Sequence, residues 1–199
     1  MGQPVLRSND RILKKALELF SDKGYDATSV REICEAAGIT KPTLYHFYGS
    51  KEGVYRALVE GALERFRADI LSALSGESPL RVKLGRVARS YVDAAKREPD
   101  LARFLMALSH NPQHSAPATD FVGFYQGLMT EIERAIDAAA AKGEIAPGPA
   151  DVRLLVLMGA LGEALCGHLL CGEPDLTPEL ADRLIDVVLG GWLAPAARA

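Results

Sequence analysis

Cysteine is scarce in this chain, and the three present, Cys34, Cys166 and Cys171, are an odd number at no disulfide-framework spacing. A cross-linked secreted scaffold is therefore excluded as the source of stability, and a reducing compartment fits better. Charge of one sign is also lacking: the net charge is −3, so total charge gives no sign of a nucleic-acid partner. No basic leader followed by an apolar stretch opens the chain, and Leu6 stands where a myristoylation motif requires Ser or Thr, so the expected location is cytoplasmic. A Gly-rich phosphate loop, a nucleophile elbow, paired carboxylates and HExxH are all missing, which argues against an enzyme. His110 with His114, and Cys166, His168 and Cys171, lack zinc-site spacing, so neither metal nor cofactor is expected.

What is present is ordinary globular material, 48% hydrophobic and 25% charged, which excludes a disordered chain. The charges are unevenly placed. Residues 1–51 hold eight Lys and Arg against six acids, while the remainder carries a net −5. A mildly basic opening quarter on an acidic body is the kind of asymmetry to look for in a nucleic-acid-binding chain, and does not by itself decide for one.

Apolar residues recur at helical spacing nearly throughout, and no alternating run bounded by turn residues makes a strand. Ile12, Leu13, Ala16, Leu17 and Phe20 form a first stripe ending at Gly24. Ser29 and Glu32 form a capping box ahead of a short second helix that stops near Ala37 and Gly38. Thr40 is expected to cap a third helix by accepting the Thr43 N–H, with Pro42 in its first turn; Ser50 caps a fourth running to about Ser75. Further helices are expected from Ser78–Pro79 to Arg97, Pro99 to His110, Ala118 to Lys142, Pro149 to Cys171 and Thr177–Pro178 to Leu193, with residues 111–117 as a loop. The fold class is all-α: a three-helix opening domain, then a larger bundle, about nine helices in all.

The segment "LLVLMGALGEALCGHLLC" is apolar almost all round, yet Glu163 and His168 would each be costly in lipid. It is read as a helix buried between others, with Gly159, Gly162 and Gly167 allowing close approach, and no membrane partner is expected.

The stretch "GITKPTLYHFYGSKEGV" raises the functional question, because a helix polar at its tip and aromatic beyond it suits neither a core nor plain solvent. Two short helices joined at Gly38 match a helix-turn-helix, whose second helix enters the major groove. Lys41 reaches guanine O6 or N7, while Pro42 and the Thr43 methyl suit a thymine methyl. Leu44 and Phe47 are expected to turn inward with Ile33 and Ile39, leaving Tyr45, His46 and Tyr48 outside. Lys51 combines its charge with a helix start, and Arg31 reaches a base or phosphate.

At "TSVREICEAAGITKPTLYHFYGSKEGVYRAL" the chain resembles the N-terminal domain of the tetracycline-repressor (TetR/AcrR) family, over about residues 7–60. The resemblance implies Arg31, Lys41, Pro42 and Thr43 as base-facing residues and Thr40, Tyr45, His46 and Lys51 as phosphate contacts. It implies a division into a DNA-binding domain, residues 1–51, and an effector-binding and dimerisation domain, residues 52–199. It further implies a homodimer through the last two helices, to which Leu180, Leu184, Val187, Val188 and Gly191 would contribute, and a near-palindromic double-stranded operator. A small hydrophobic effector is the remaining implied partner. Tyr91, Phe104, Leu108, Phe124, Tyr125, Leu128, Met129 and Glu163 are the candidates for its pocket, although aromatics and Met at helical spacing equally fill a core; Arg103, His110 and His168 are further polar candidates. The function so implied is a ligand-responsive transcriptional regulator, a repressor released by its effector. The alternatives are a helical-bundle enzyme, which would turn over a substrate without shifting DNA, and a protein-interaction module without DNA binding.

Overall fold

The computed structural model describes residues 8–110, 117 and 119–192, with Ser109 and His110 described in backbone only. Among the described residues there are nine helices and no strand. The expected loop at residues 111–117, with His114, lies outside them except for Pro117, as do the side chain of His110 and the expected helix ends at Ala118 and Leu193.

Local chemistry sets the first helices. α1 (Ser8–Ala27) buries Ile12, Ala16 and Phe20 on one stripe and is broken at Gly24, whose φ of 82° and ψ of 169° are not helical. α2 (Val30–Ala37) opens with the capping box: the Glu32 N–H donates to Ser29 Oγ at 3.2 Å and the Ser29 N–H to Glu32 Oε2 at 2.8 Å. It closes at Gly38, left-handed at φ 63°, with the Ile39 N–H returning to the Cys34 carbonyl at 3.0 Å. α3 (Lys41–Tyr48) begins after Thr40, but the Thr40 hydroxyl bonds the Thr43 hydroxyl at 2.9 Å and not the Thr43 N–H. α4 (Lys51–Leu74) starts where Ser50 Oγ accepts the Gly53 N–H at 3.0 Å.

The later helices are α5 (Leu80–Arg97), α6 (Pro99–His110), α7 (Phe121–Ala141), α8 (Ala150–Cys171) and α9 (Pro178–Gly190). Thr177 caps α9 by accepting the Leu180 N–H at 3.1 Å. Two compact units result. The first takes the described residues up to Glu64 with Arg103–Asp120, the second Arg65–Ala102 with the described residues from Phe121 onward. The boundaries between these compact units fall within α4 and α6.

In the first unit an aromatic cluster joins the elements: Phe20 and Tyr25 meet Tyr55 edge-on at 5.6 and 5.2 Å, and Tyr55 meets Phe104 at 6.2 Å. In the second, α5, α8 and α9 bury Leu84, Val87, Leu157, Leu161 and Ile185. Arg81 grips Asp186 with two bonds of 2.9 and 3.0 Å, and Arg89 reaches Asp182 at 2.5 Å, tying α5 to α9 from outside.

α8 corrects the sequence reading. It is long and apolar enough to cross a membrane by length and composition, and it was expected to be enclosed by other helices. Leu154, Leu157, Leu161 and Leu169 are buried, but Val152, Leu155, Val156 and Leu170 stand exposed, and nothing lies within 4 Å of where side chains at Gly159 or Gly162 would project. Only Gly167 of the three glycines has a close neighbour, the Glu173 carbonyl. Val188, expected at an outer interface, is buried, whereas Val187 beside it is 79% exposed.

The α2 cap generates a pH test. Hydrogen bonds from Lys23 and then from the Ser29 hydroxyl and amide hold the Glu32 carboxyl at about 2, below its ordinary 4.5. A depressed carboxylate stabilises the fold above its unfolded pKa, and the contribution is lost as pH falls from about 4.5 towards 2. Denaturant unfolding of wild type and Glu32→Gln should therefore differ near neutrality and converge across that window; a difference independent of pH would contradict the assignment. Ser29→Ala should lower stability by about 1 kcal/mol in the same measurement.

Candidate nucleic-acid interface

A helix as short as α3 is placed by what it buries. Leu44 is fully buried, in a unit where α2 contributes Ile33 and Ala37, and this fixes the rotation of the whole helix. Lys41, Pro42, Tyr45 and His46 are left exposed and Thr43 half-buried; the outward placing of Tyr45 and His46 is the one expected from the sequence. Because Thr40 does not cap the helix through its side chain, the first-turn amides of α3 are left to whatever approaches the tip.

Phe47 and Tyr48 exchange the places expected of them. Phe47 is 48% exposed, packed edge-on against His46 at 5.4 Å, while Tyr48 is half-buried and its hydroxyl donates to the Asn9 carbonyl at 3.2 Å. Helical spacing alone does not choose, since residues three and four beyond Leu44 both lie on its side; the bond to Asn9 on α1 holds Tyr48 inward and leaves Phe47 on the flank. Burial, and then the nearby Asp10, push the Tyr48 hydroxyl above its ordinary pKa, so it remains a donor.

Lys51 is also committed within the protein. Its ammonium donates to the Tyr25 carbonyl at 2.8 Å and lies 4.1 Å from the centre of the Tyr25 ring, which pins the start of α4 to the end of α1. Arg31 stands out from α2 and pairs with Glu35 at 2.7 Å; the Glu35 hydrogen bond, followed by its charge, raises the guanidinium pKa further. Exposed ion pairs of this kind contribute little to stability, so exchanging Glu35 for a phosphate is cheap. The sequence reading passed over Arg11 and Lys14, exposed cations on α1, whose early residue Asn9 holds Tyr48. The signal was their position on the outer side of the Ile12–Ala16 stripe.

The eight pocket candidates do not gather in one described cavity. Phe104 and Leu108 fall in the first unit and the others in the second. A cavity of about 10 Å³ in the second unit, lined by α5, α8 and α9, includes Tyr91 but none of the other seven, and holds at most a water. Leu128 is fully packed, Tyr125 is exposed, and Glu163 is exposed because it shares the outer stripe of α8 with Val156 and Gly159. Arg103 is exposed, and His168 is engaged with the Pro174 carbonyl at 3.0 Å. Among the described residues no cluster of three or more His, Cys, Asp or Glu side chains is gathered as for a metal.

Residues 12–58 match the family described as bacterial regulatory proteins, tetR family. Over 67 residues, 34% of this chain, the sequence is 42% identical to the HTH-type transcriptional repressor ComR of Escherichia coli, and over 57 residues 42% identical to the negative regulator IcaR of Staphylococcus epidermidis. These matches span about a third of each relative, 32% and 31%. The HTH-type regulator YezE of Bacillus subtilis is 25% identical over 67% of this chain and 72% of its own. Among solved structures, the TetR-family regulator PfmR from Thermus thermophilus superposes with a TM-score of 0.73 at 21% identity, over 93% of this chain and 97% of that one. FadR from Bacillus subtilis, solved with stearoyl-CoA, gives 0.70 at 16% identity, over 92% and 98%. At those identities the structures establish a shared fold. The likeness to the tetR family of bacterial regulatory proteins is thus carried by the N-terminal residues 12–58.

Proposed function

We propose that this chain is a homodimeric, ligand-responsive transcriptional regulator, a repressor that binds a near-palindromic operator in the cytoplasm and leaves it when a small hydrophobic effector binds. The observation that carries the reading is the outward face of α3, where Lys41, Pro42, Tyr45 and His46 stand exposed around a buried Leu44. With the tip of α3 in the major groove, Lys41 donates to guanine O6 or N7, and Pro42 and Thr43 pack on a thymine methyl. Thr40, Tyr45 and His46 bind flanking phosphates, and Arg31 leaves Glu35 for a base edge or phosphate. Lys51 supports this arrangement from the mount, its charge directed first to Tyr25.

Dimerisation is supported by the uncovered stripe of Val152, Leu155, Val156 and Leu170 on α8 with Val187 on α9. An exposed apolar row on one side of a helix, here interrupted by Glu163, suits a self-complementary two-fold interface. Two-fold symmetry doubles the recognition helix and places half-sites about 34 Å apart. The effector reading draws on FadR, which was solved with stearoyl-CoA; Tyr91, Phe124, Leu128 and Met129 are its apolar candidates in the second unit and would have to part to admit a ligand, since they share no described cavity. An effector with a coupling free energy of about 1–3 kcal/mol would change operator affinity about 5- to 150-fold.

Selection from randomised duplex DNA tests the proposal, and enrichment of an inverted repeat is the expected result; failure to enrich any sequence would overturn it. On the selected operator, Lys41→Ala should cost about 1–3 kcal/mol and relax the preference at one base position, whereas Tyr45→Phe should weaken binding evenly across sequences. Leu155→Glu should give a folded monomer by sedimentation velocity and abolish high-affinity operator binding.

A further inference from the structure

Gly53 is the third residue of α4, and helix geometry alone gives no reason for glycine there: its φ is not positive, and glycine within a helix is less favourable than alanine. Its surroundings do give a reason. A β-carbon at Gly53 would lie 1.8 Å from the carbonyl oxygen of Tyr48 and 2.9 Å from the carbonyl carbon. Both are backbone atoms of the last residue of α3, so no side-chain rotation relieves the overlap. Only hydrogen fits, and the contact it makes is a Cα–H donor facing a carbonyl.

The same carbonyl is held from other directions. It accepts the Ser50 N–H at 2.8 Å, and the Tyr48 side chain is anchored to α1 through its hydroxyl. Gly53 is held in turn by its N–H on Ser50 Oγ, and Lys51 fixes the same helical turn to Tyr25. The end of α3 and the beginning of α4 thus meet backbone to backbone, each tied independently to α1. Adding one methyl group forces one of them to move.

We propose that Gly53 is a positioning residue for DNA recognition: by permitting this backbone contact it sets the separation of α4 from the end of α3, and hence the angle at which α3 is offered to the groove. The inference rests on the DNA-binding reading above. Gly127 provides the comparison, being an exposed glycine inside α7 with nothing within 4 Å of its missing β-carbon.

The test uses the full-length protein and the operator selected by wild type. Gly127→Ala should raise the melting temperature and leave operator affinity unchanged, the usual result of stiffening an unfolded chain at no native cost. Gly53→Ala should lower operator affinity by about tenfold or more and, in a fresh selection, change the preferred separation between half-sites. A mere loss of stability would not move that separation. If Gly53→Ala raises the melting temperature as Gly127→Ala does, with affinity and separation preserved, the proposal is wrong. Should Gly53→Ala fail to fold, Ser50→Ala carries the test, since it frees the Gly53 N–H without adding an atom. Broadened half-site separation then supports the proposal, and unchanged separation and affinity overturn it. Wild-type protein that enriches no duplex at all would remove the DNA-binding reading, and this inference with it.

Discussion

An isolated helix of eight residues is unstable in water, because nucleation costs more than so few hydrogen bonds return. α3 therefore holds its shape only through what it is packed against, above all the complete burial of Leu44. Burying one side chain fixes one face, and a helix with one face fixed has no freedom about its axis. The positions of Lys41, Pro42, Tyr45 and His46 follow from that single contact, with Tyr48 on Asn9 and Lys51 on Tyr25 preventing the far end from swinging. None of these pins is strong alone: a neutral hydrogen bond contributes about 1 kcal/mol. Together they act on a segment two turns long, where little else competes.

The second unit solves a different problem. Its core is aliphatic, and the ion pairs joining α5 to α9 lie at the rim, where Arg81 and Arg89 are about half exposed. Screening makes such pairs weak, so they orient α9 more than they stabilise it. α8, whose buried side carries Leu154, Leu157, Leu161 and Leu169, leaves Leu155 and Leu170 facing water together. Scattered exposed leucines need no explanation; several in one row on a well-ordered helix do.

What could be read from the sequence was what is local. The Ser29–Glu32 box, the Gly38 turn, Pro42 in a first turn and Ser50 at the start of α4 each involve residues within four positions, and each formed where expected. Most errors arose where a choice depended on partners distant in sequence; the Thr40 cap was a local one. Phe47 and Tyr48 were exchanged because a spacing of three or of four from Leu44 is equally helical, and only α1, through Asn9, decides between them. The Thr40 hydroxyl was assigned to an amide when a second hydroxyl, on Thr43, was within reach. Glu163, Gly159 and Gly162 were placed in an interior because an apolar composition reads as burial whether or not the rest of the chain covers that side of the helix. Gly53 left no trace in any pattern, since a missing β-carbon is informative only once the opposing carbonyl is located.

In the proposed regulator, the exposed faces of α3 and α8 are connected by energetics. One short helix offers a handful of base and phosphate contacts, and non-specific binding of a single module is weak, typically about 10⁻⁴ to 10⁻⁶ M at physiological salt. Joining two such modules makes the second binding event intramolecular, at an effective concentration set by the rigidity and span of the connection. A flexible connection would forfeit most of that gain and would read no fixed spacing between half-sites. The gain therefore requires stiffness at both ends: a dimer seam broad and apolar enough to hold one geometry, and a recognition helix that does not rock on its mount. Tyr48, Lys51 and Gly53 meet the second requirement with a hydrogen bond, a cation lying over a ring and a backbone contact, all crowded into one turn at the junction of α3 and α4. That crowding is what a reader of half-site spacing needs, and a helix whose only task was to complete a core would not require it.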